Sequence, residues 1–425
     1  MKKINRFITL LLLASLLLTM AACGKKEDGP NATKGPEAGK TDGEETSEPG
    51  ETTEEQAKKL AGEKIEKMTL EQKVGQLFVV NFELLDAKKG SYYEHRKITK
   101  RMKKTLDKYP VGGVVFFSRN INTRKQTTKF ITKLQEYSQI PLFITVDEEG
   151  GDVARIGSND NMRTTCFPTM EEIGKSANTQ YAYDMGATIG SEIKELGFNV
   201  NFAPVADVKT SDSNTEIGSR SFGQDEKLVA NMVVNVVKGL QDQGISATLK
   251  HFPGHGGATE DSHEGSVNVD SSISRMRKVD FVPFQKGIDA GADFVMISHI
   301  SVSRVTESTT PATLSSLIMQ DILREELGFE GVIITDAMDM KAITDSYTPA
   351  EAALQSFKAG TDIILMPDDL GQAYDAIYNA VKSGKIKQER LDASVKRILT
   401  VKYKRGIMQQ GARAVQNEFS VSAKA

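Results

Sequence analysis

The sequence predicts an α/β protein built as a single (β/α)8 TIM barrel, and three observations carry that expectation. Eight short apolar runs, most of them rich in β-branched residues, recur between Gln76 and Met366, separated by stretches of helical periodicity. The runs are continuously apolar rather than alternating, as parallel strands are when both faces are buried. Eight strand–helix units over roughly 350 residues match a barrel with inserted loops. An open doubly wound sheet is the alternative, but its first strand would lead into a glycine-rich phosphate turn, and Gly112-Gly113 precede their strand instead.

The chain opens with Lys2, Lys3 and Arg6 ahead of the apolar run Phe7 to Ala22. That run is short for a membrane span and has the charge pattern of an export signal. Ala21-Ala22-Cys23 resembles a bacterial lipobox, with Met20 where leucine is commoner. Residues 1–22 are therefore expected to be a lipoprotein signal peptide. Cys23 would be the lipidated residue, holding the protein on the outer face of the cytoplasmic membrane. An ordinary secretory signal is the plainer alternative. Residues 24–55 hold four lysines and ten acids with no apolar periodicity, so residues 23–55 are expected to form a disordered acidic tether.

The catalytic domain is expected over residues 56–412, with 413–425 as a tail. Thr69 has helix-start character, and Gln76–Val80 reads as the first strand. Gly112–Phe117, Pro141–Asp147, Val200–Val205 and Ala247–His251 read as the next four. Asp293–His299, Gly331–Asp336 and Asp362–Met366 complete the set. The intervening helices are expected at Thr123–Ser138, Tyr181–Leu196, Glu226–Gln243, Val282–Ala290, Ser315–Leu327 and Pro349–Ala359. Two more follow the last strand, near Leu370–Ser383 and Gln388–Arg405.

Composition bounds the function. Hydrophobic residues at 39% and charged residues at 26% suit a folded globular domain. The N-terminal +3 and the tether's −6 account for the whole formal charge of −3, so residues 56–425 sum to zero. That balance gives nucleic-acid binding little electrostatic support. Cys166 is the only cysteine besides Cys23, which leaves no disulfide framework within the folded part, and it is expected to be inert core filler.

Chemistry collects at the strand ends. Three of the five histidines fall in Lys250-His251-Phe252-Pro253-Gly254-His255-Gly256 and Asp261-Ser262-His263. Gly and Pro make this a loop at the end of a strand. Asp261 stands two residues from His263, close enough to hold one imidazole nitrogen while the other faces a substrate. Asp147 ends its strand within Val146-Asp147-Glu148-Glu149-Gly150-Gly151-Asp152-Val153-Ala154-Arg155. Ala203-Pro204-Val205-Ala206-Asp207 and Ile217-Gly218-Ser219-Arg220-Ser221-Phe222-Gly223 occupy a further strand end and its loop. Asp336 opens Asp336-Ala337-Met338-Asp339-Met340 after another strand. A metal site using His251, His255, His263 and Asp261 is an alternative reading, although the spacing matches no strong ligand pattern.

These segments closely resemble the signatures of glycoside hydrolase family 3, in its β-N-acetylglucosaminidase branch, and the resemblance runs from about Met68 to Gly406. It implies a TIM-barrel hydrolase that releases terminal N-acetylglucosamine from peptidoglycan fragments or related glycans, with no metal or organic cofactor. It further implies Asp336 as nucleophile, His263 as general acid/base and Asp261 as the residue orienting His263. Asp147, Arg155, Arg220, Lys250 and His251 would contact the sugar, and His255 would anchor the loop. Asp339 competes with Asp336 but reads as a helix-start residue. Glu148 and Asp152 place acid where the family often has Gln and Arg, which is expected to alter tolerance for a charged aglycone. A phosphorylase, a β-glucosidase of the same family and an inactive glycan-binding lipoprotein are the rival readings. Oligomeric state is not legible in the sequence.

Overall fold

A computed structural model describes residues 53–90, 92–259 and 265–409. The expected signal peptide, Cys23, most of the tether, Asp261, His263 and the tail lie outside the described residues. Eight parallel strands form the barrel: β1 (Phe78–Val80), β2 (Gly113–Phe116), β3 (Phe143–Val146), β4 (Val200–Asn201), β5 (Ser246–Phe252), β6 (Phe294–Ile297), β7 (Val332–Thr335) and β8 (Ile364–Leu365). Neighbours in sequence are neighbours in the sheet, and β8 pairs with β1 in the register Phe78↔Ile364. Closure between β7 and β8 comes from Thr335 N–H donating to the Ile363 carbonyl at 3.0 Å. Every residue of the eight strands is buried, as continuous apolarity required.

The helices match the periodic stretches closely. Pro349–Ala359 coincides with its expected span, and Gln388–Lys404 differs at its end by one residue. Thr348 and Glu351 form a capping box at the first of these, and Thr69 with Gln72 does the same for Leu70–Gly75. The fold begins slightly earlier than expected. Thr53 and Gln56 make a capping box that starts the helix Glu54–Ile65, so the anticipated boundary at Gln56 falls inside that helix. An antiparallel hairpin, Glu148–Gly150 with Val153–Ala154, was not anticipated; it follows β3 directly. Cys166 corrects another expectation. It is exposed, on the irregular segment between Met162 and Met170, where no strand or helix turns it inward.

The end of the barrel at the strands' N-termini is held by buried charge. Lys402 is fully buried and donates to Gln76 Oε1 (2.7 Å), the Gly112 carbonyl (2.9 Å) and the Pro141 carbonyl (2.7 Å), tying the starts of β1, β2 and β3. Asp362, just before β8, accepts from Arg324 at 2.6 Å and Arg397 at 3.1 Å and caps the backbone of Ile333. Burial would raise the Asp362 carboxyl, but the three arginines around it hold it below the usual range. Asp293, before β6, is paired the same way by Arg405 at 2.6 Å and Lys404 at 3.1 Å.

Candidate active site

The opposite end, where the strands finish, gathers the polar residues. Lys250 is the penultimate polar residue of β5, and its side chain is only 2% exposed. A buried ammonium needs counter-charges, and it has two: Asp147 Oδ1 at 2.8 Å and Glu149 Oε1 at 2.7 Å. Glu149, on the hairpin after β3, also takes a bidentate grip from Arg220, Nε at 2.9 Å and Nη2 at 2.8 Å. Arg220 Nη1 donates in addition to the Glu216 carbonyl at 3.0 Å. Two acids and two cations thus neutralise one another on the barrel floor. Burial alone would raise Glu149, but Lys250 and Arg220 outweigh it and hold the carboxyl well below the usual range. Burial opposes charge on Lys250 as well, and Asp147 and Glu149 overcome it.

His251 is held from beneath by Asp207. Its Nδ1–H donates to Asp207 Oδ2 at 2.7 Å, and its backbone N–H donates to the same oxygen at 3.0 Å. Asp207 Oδ1 receives the His255 N–H at 2.6 Å, so one fully buried carboxylate fixes both histidines of the loop. His255 is itself buried, with Nε2 3.3 Å from Glu216, which accords with an anchoring residue. Gly256 lets the loop press against its neighbour: a Cβ there would lie 1.9 Å from the Val208 carbonyl.

Asp336 follows β7, its Oδ1 accepting the Ala337 N–H at 2.8 Å. Burial would raise its carboxyl, but His251, His299, that N–H and Lys250 bring it below the usual carboxylate range. His299, after β6, donates from Nε2 to the Ala337 carbonyl at 2.8 Å and so pins the turn that carries Asp336. Asp339 is exposed and caps nothing, because Met340 holds the N-cap position of the short helix Lys341–Thr344. The expectation of a helix-start role is corrected accordingly.

Of the expected site residues, Asp147, Arg220, Lys250, His251 and Asp336 are brought together. Arg155 directly follows the second strand of the hairpin after β3, with its Nε buried and without a hydrogen-bond partner among the described residues. Glu148 departs from expectation. It is buried and faces its own loop, accepting the N–H groups of Ile156 (2.7 Å) and Gly157 (2.8 Å), so it shapes the loop rather than meeting an aglycone. Asp152 is exposed and accepts from the Ser219 hydroxyl, joining the hairpin to the Arg220 turn. Sequence reasoning assigned no role to Glu149, Asp207 or His299. Glu149 and Asp207 stand within the quoted segments, and His299 ends a strand, so position at a strand end was the available signal. Among the described residues no group of three or more His, Cys, Asp or Glu gathers as metal ligands.

A closed barrel with its charged residues gathered where the strands finish has the layout of an α/β-barrel enzyme site, and comparison with known proteins assigns the family. The family model "Glycosyl hydrolase family 3 N terminal domain" matches residues 69–401, and the chain belongs to that family. It is 34% identical over 370 residues to the beta-hexosaminidase A of Pseudoalteromonas piscicida, covering 79% of this chain and 61% of that protein. It is 34% identical over 291 residues to a beta-hexosaminidase of Stenotrophomonas maltophilia, covering 66% of this chain and 84% of the relative. The structure of a family 3 beta-N-acetylglucosaminidase from Paenibacillus sp. superposes with a TM-score of 0.75 at 37% identity, over 80% of this chain and 63% of that one.

Proposed function

We propose that the protein is a retaining β-N-acetylglucosaminidase acting on terminal N-acetylglucosamine of peptidoglycan fragments or related glycans. The observation that carries this reading is Asp336, an ionised carboxylate at the end of β7 beside Lys250 and His251 on the barrel floor. A carboxylate held in that state can attack the anomeric carbon. The C1–Oδ bond forms as the glycosidic C–O bond breaks, and His263 gives its proton to the departing oxygen. In the second half His263 takes a proton from water, whose oxygen displaces Asp336 and regenerates the carboxylate. Asp261 sets the tautomer of His263. Lys250, Asp147, His251 and Arg220 offer donors and acceptors for hydroxyls, and the buried Arg155 Nε is a donor available to a ligand. The names of the relatives support the choice of amino sugar.

The experiment is nitrophenol release from the β-N-acetylglucosaminide and the β-glucoside side by side. Turnover of the first alone is expected, and Asp336→Ala should lower it by roughly 10³-fold or more. Preference for the glucoside, full activity in the variant, or release as a sugar phosphate when phosphate is added would overturn the reading. The lipidated Cys23 and the outer face of the cytoplasmic membrane are part of the same proposal. Fractionation of cells expressing the full chain and its Cys23→Ala variant tests them, with loss from the membrane fraction expected.

A further inference from the structure

Residues 56–425 carry no net charge, but their charge is not evenly spread. Between Lys88 and Lys133 the chain carries fourteen lysines and arginines against two acids, Glu94 and Asp107. The barrel brings this segment to one flank, on the helices Lys100–Lys108 and Arg124–Tyr137 beside β1 and β2. Each helix turns its apolar residues inward: Met102 and Leu106 on the first, Phe130, Ile131 and Leu134 on the second. The cations are left on the outside. A groove of about 430 Å³ runs between residues 96–98 and the second helix. Its floor is Ile98 and Phe130, and five cations line it without a single acid.

Two of the five are already paired, Arg96 with Glu94 at 3.0 Å and Lys133 with Glu136. Lys97, Lys125 and Lys129 form no ion pair among the described residues. Lys125 and Lys129 stand one turn apart on the helix, both exposed, so their charges repel. A concave surface lined by one sign of charge focuses its field and raises the local concentration of the opposite sign. The upper end of the groove reaches the rim of the barrel mouth. There Arg96 Nε donates to the Arg119 carbonyl at 3.4 Å, and Arg119 lies beneath the 81%-exposed Tyr92, 5.5 Å from its ring.

We propose that this groove binds an anionic polymer, a chain bearing repeated carboxylate or phosphodiester groups, along the flank next to the barrel mouth. Concavity and an apolar floor favour a strand lying lengthwise over a planar lipid surface. Bound there, the polymer would hold the mouth close to its surroundings without entering the site.

The test uses the full chain and two soluble probes, poly-L-glutamate and poly(glycerol phosphate), with vesicles containing phosphatidylglycerol as a third arm. The triple variant Lys97→Glu, Lys125→Glu, Lys129→Glu should bind the polymers at least tenfold more weakly, and raising salt from low to several hundred millimolar should weaken the parent comparably. A charge-matched control, Lys238→Glu, Lys278→Glu, Lys286→Glu, should bind as the parent does. Hydrolysis of the nitrophenyl substrate should be unchanged in both, which also reports that they fold. Whichever polymer binds more tightly identifies the charged group. Equal binding by the triple variant, binding insensitive to salt, or binding to vesicles alone would overturn the proposal.

Discussion

Glu149→Gln is the substitution that tests the reading of the barrel floor most directly. The cluster of Lys250, Arg220, Asp147 and Glu149 is neutral as a unit, and Glu149 makes three of its charge-assisted contacts, at 2.7, 2.8 and 2.9 Å. Glutamine keeps the shape but leaves a net positive charge among groups that are nearly all buried. Removing one partner of a buried ion pair costs about 3–5 kcal/mol, because the remaining charge stays desolvated. A loss of that order is expected in chemical denaturation at neutral pH. Lys250 and Arg220 would also lose their positions, so kcat/KM on the nitrophenyl β-N-acetylglucosaminide should fall about 100-fold. Adding Lys250→Met to Glu149→Gln removes the stranded charge, and the double variant should regain at least about 1.5 kcal/mol relative to additivity. Additive effects, or a single-variant loss below about 1 kcal/mol, would show that the cluster is solvated and that the argument from buried charge is wrong.

Three further outcomes are expected. Burial raises the Asp280 carboxyl to about 7, so the folded state binds its proton more tightly than the unfolded one and stability falls as pH climbs from about 4 to about 7. Asp280→Asn should flatten that limb and be the more stable protein at pH 8, as denaturation midpoints at pH 4 and 8 would show. Asp362→Ala removes the buried partner of Arg324, whose side chain is 10% exposed, and should cost about 3 kcal/mol, with the loss read in denaturant midpoint. Gly256→Ala would drive a Cβ into the Val208 carbonyl, so the loop bearing His255 must shift; turnover should drop more than tenfold while circular dichroism of the barrel is retained.

Much of the fold was legible because its signals are local. A strand buried on both faces reads as a mostly apolar run, and helix starts such as Thr69 and Thr348 advertise themselves through capping residues a turn away. Asp336 and Lys250 were legible for a related reason, since a polar residue at the end of an apolar strand is conspicuous. Partnerships were not. Glu149 meets Arg220 and Lys250 across 71 and 101 positions of chain, and nothing near it in sequence distinguishes it from Glu148, which turns the other way into its own loop. The basic flank was hidden by arithmetic, because a net charge of zero conceals opposite charges gathered on different faces. Cys166 failed for want of context: a small apolar residue on an irregular segment has no periodicity to say which way it faces.

Among the described residues the first helix, Glu54–Ile65, packs along the last, Gln388–Lys404, at the end of the barrel where the strands begin. Glu54 lies 3.8 Å from Lys404, and Lys58 reaches Glu330 just ahead of β7. The fold therefore starts and finishes at one place, on the side away from the mouth. A short peptide could join those two helices and the chain be reopened in a surface loop, giving a permuted protein with the same barrel. Cargo or a solid support attached ahead of Thr53 would likewise leave the mouth unobstructed, a useful property for immobilising the barrel on beads or in a flow cell.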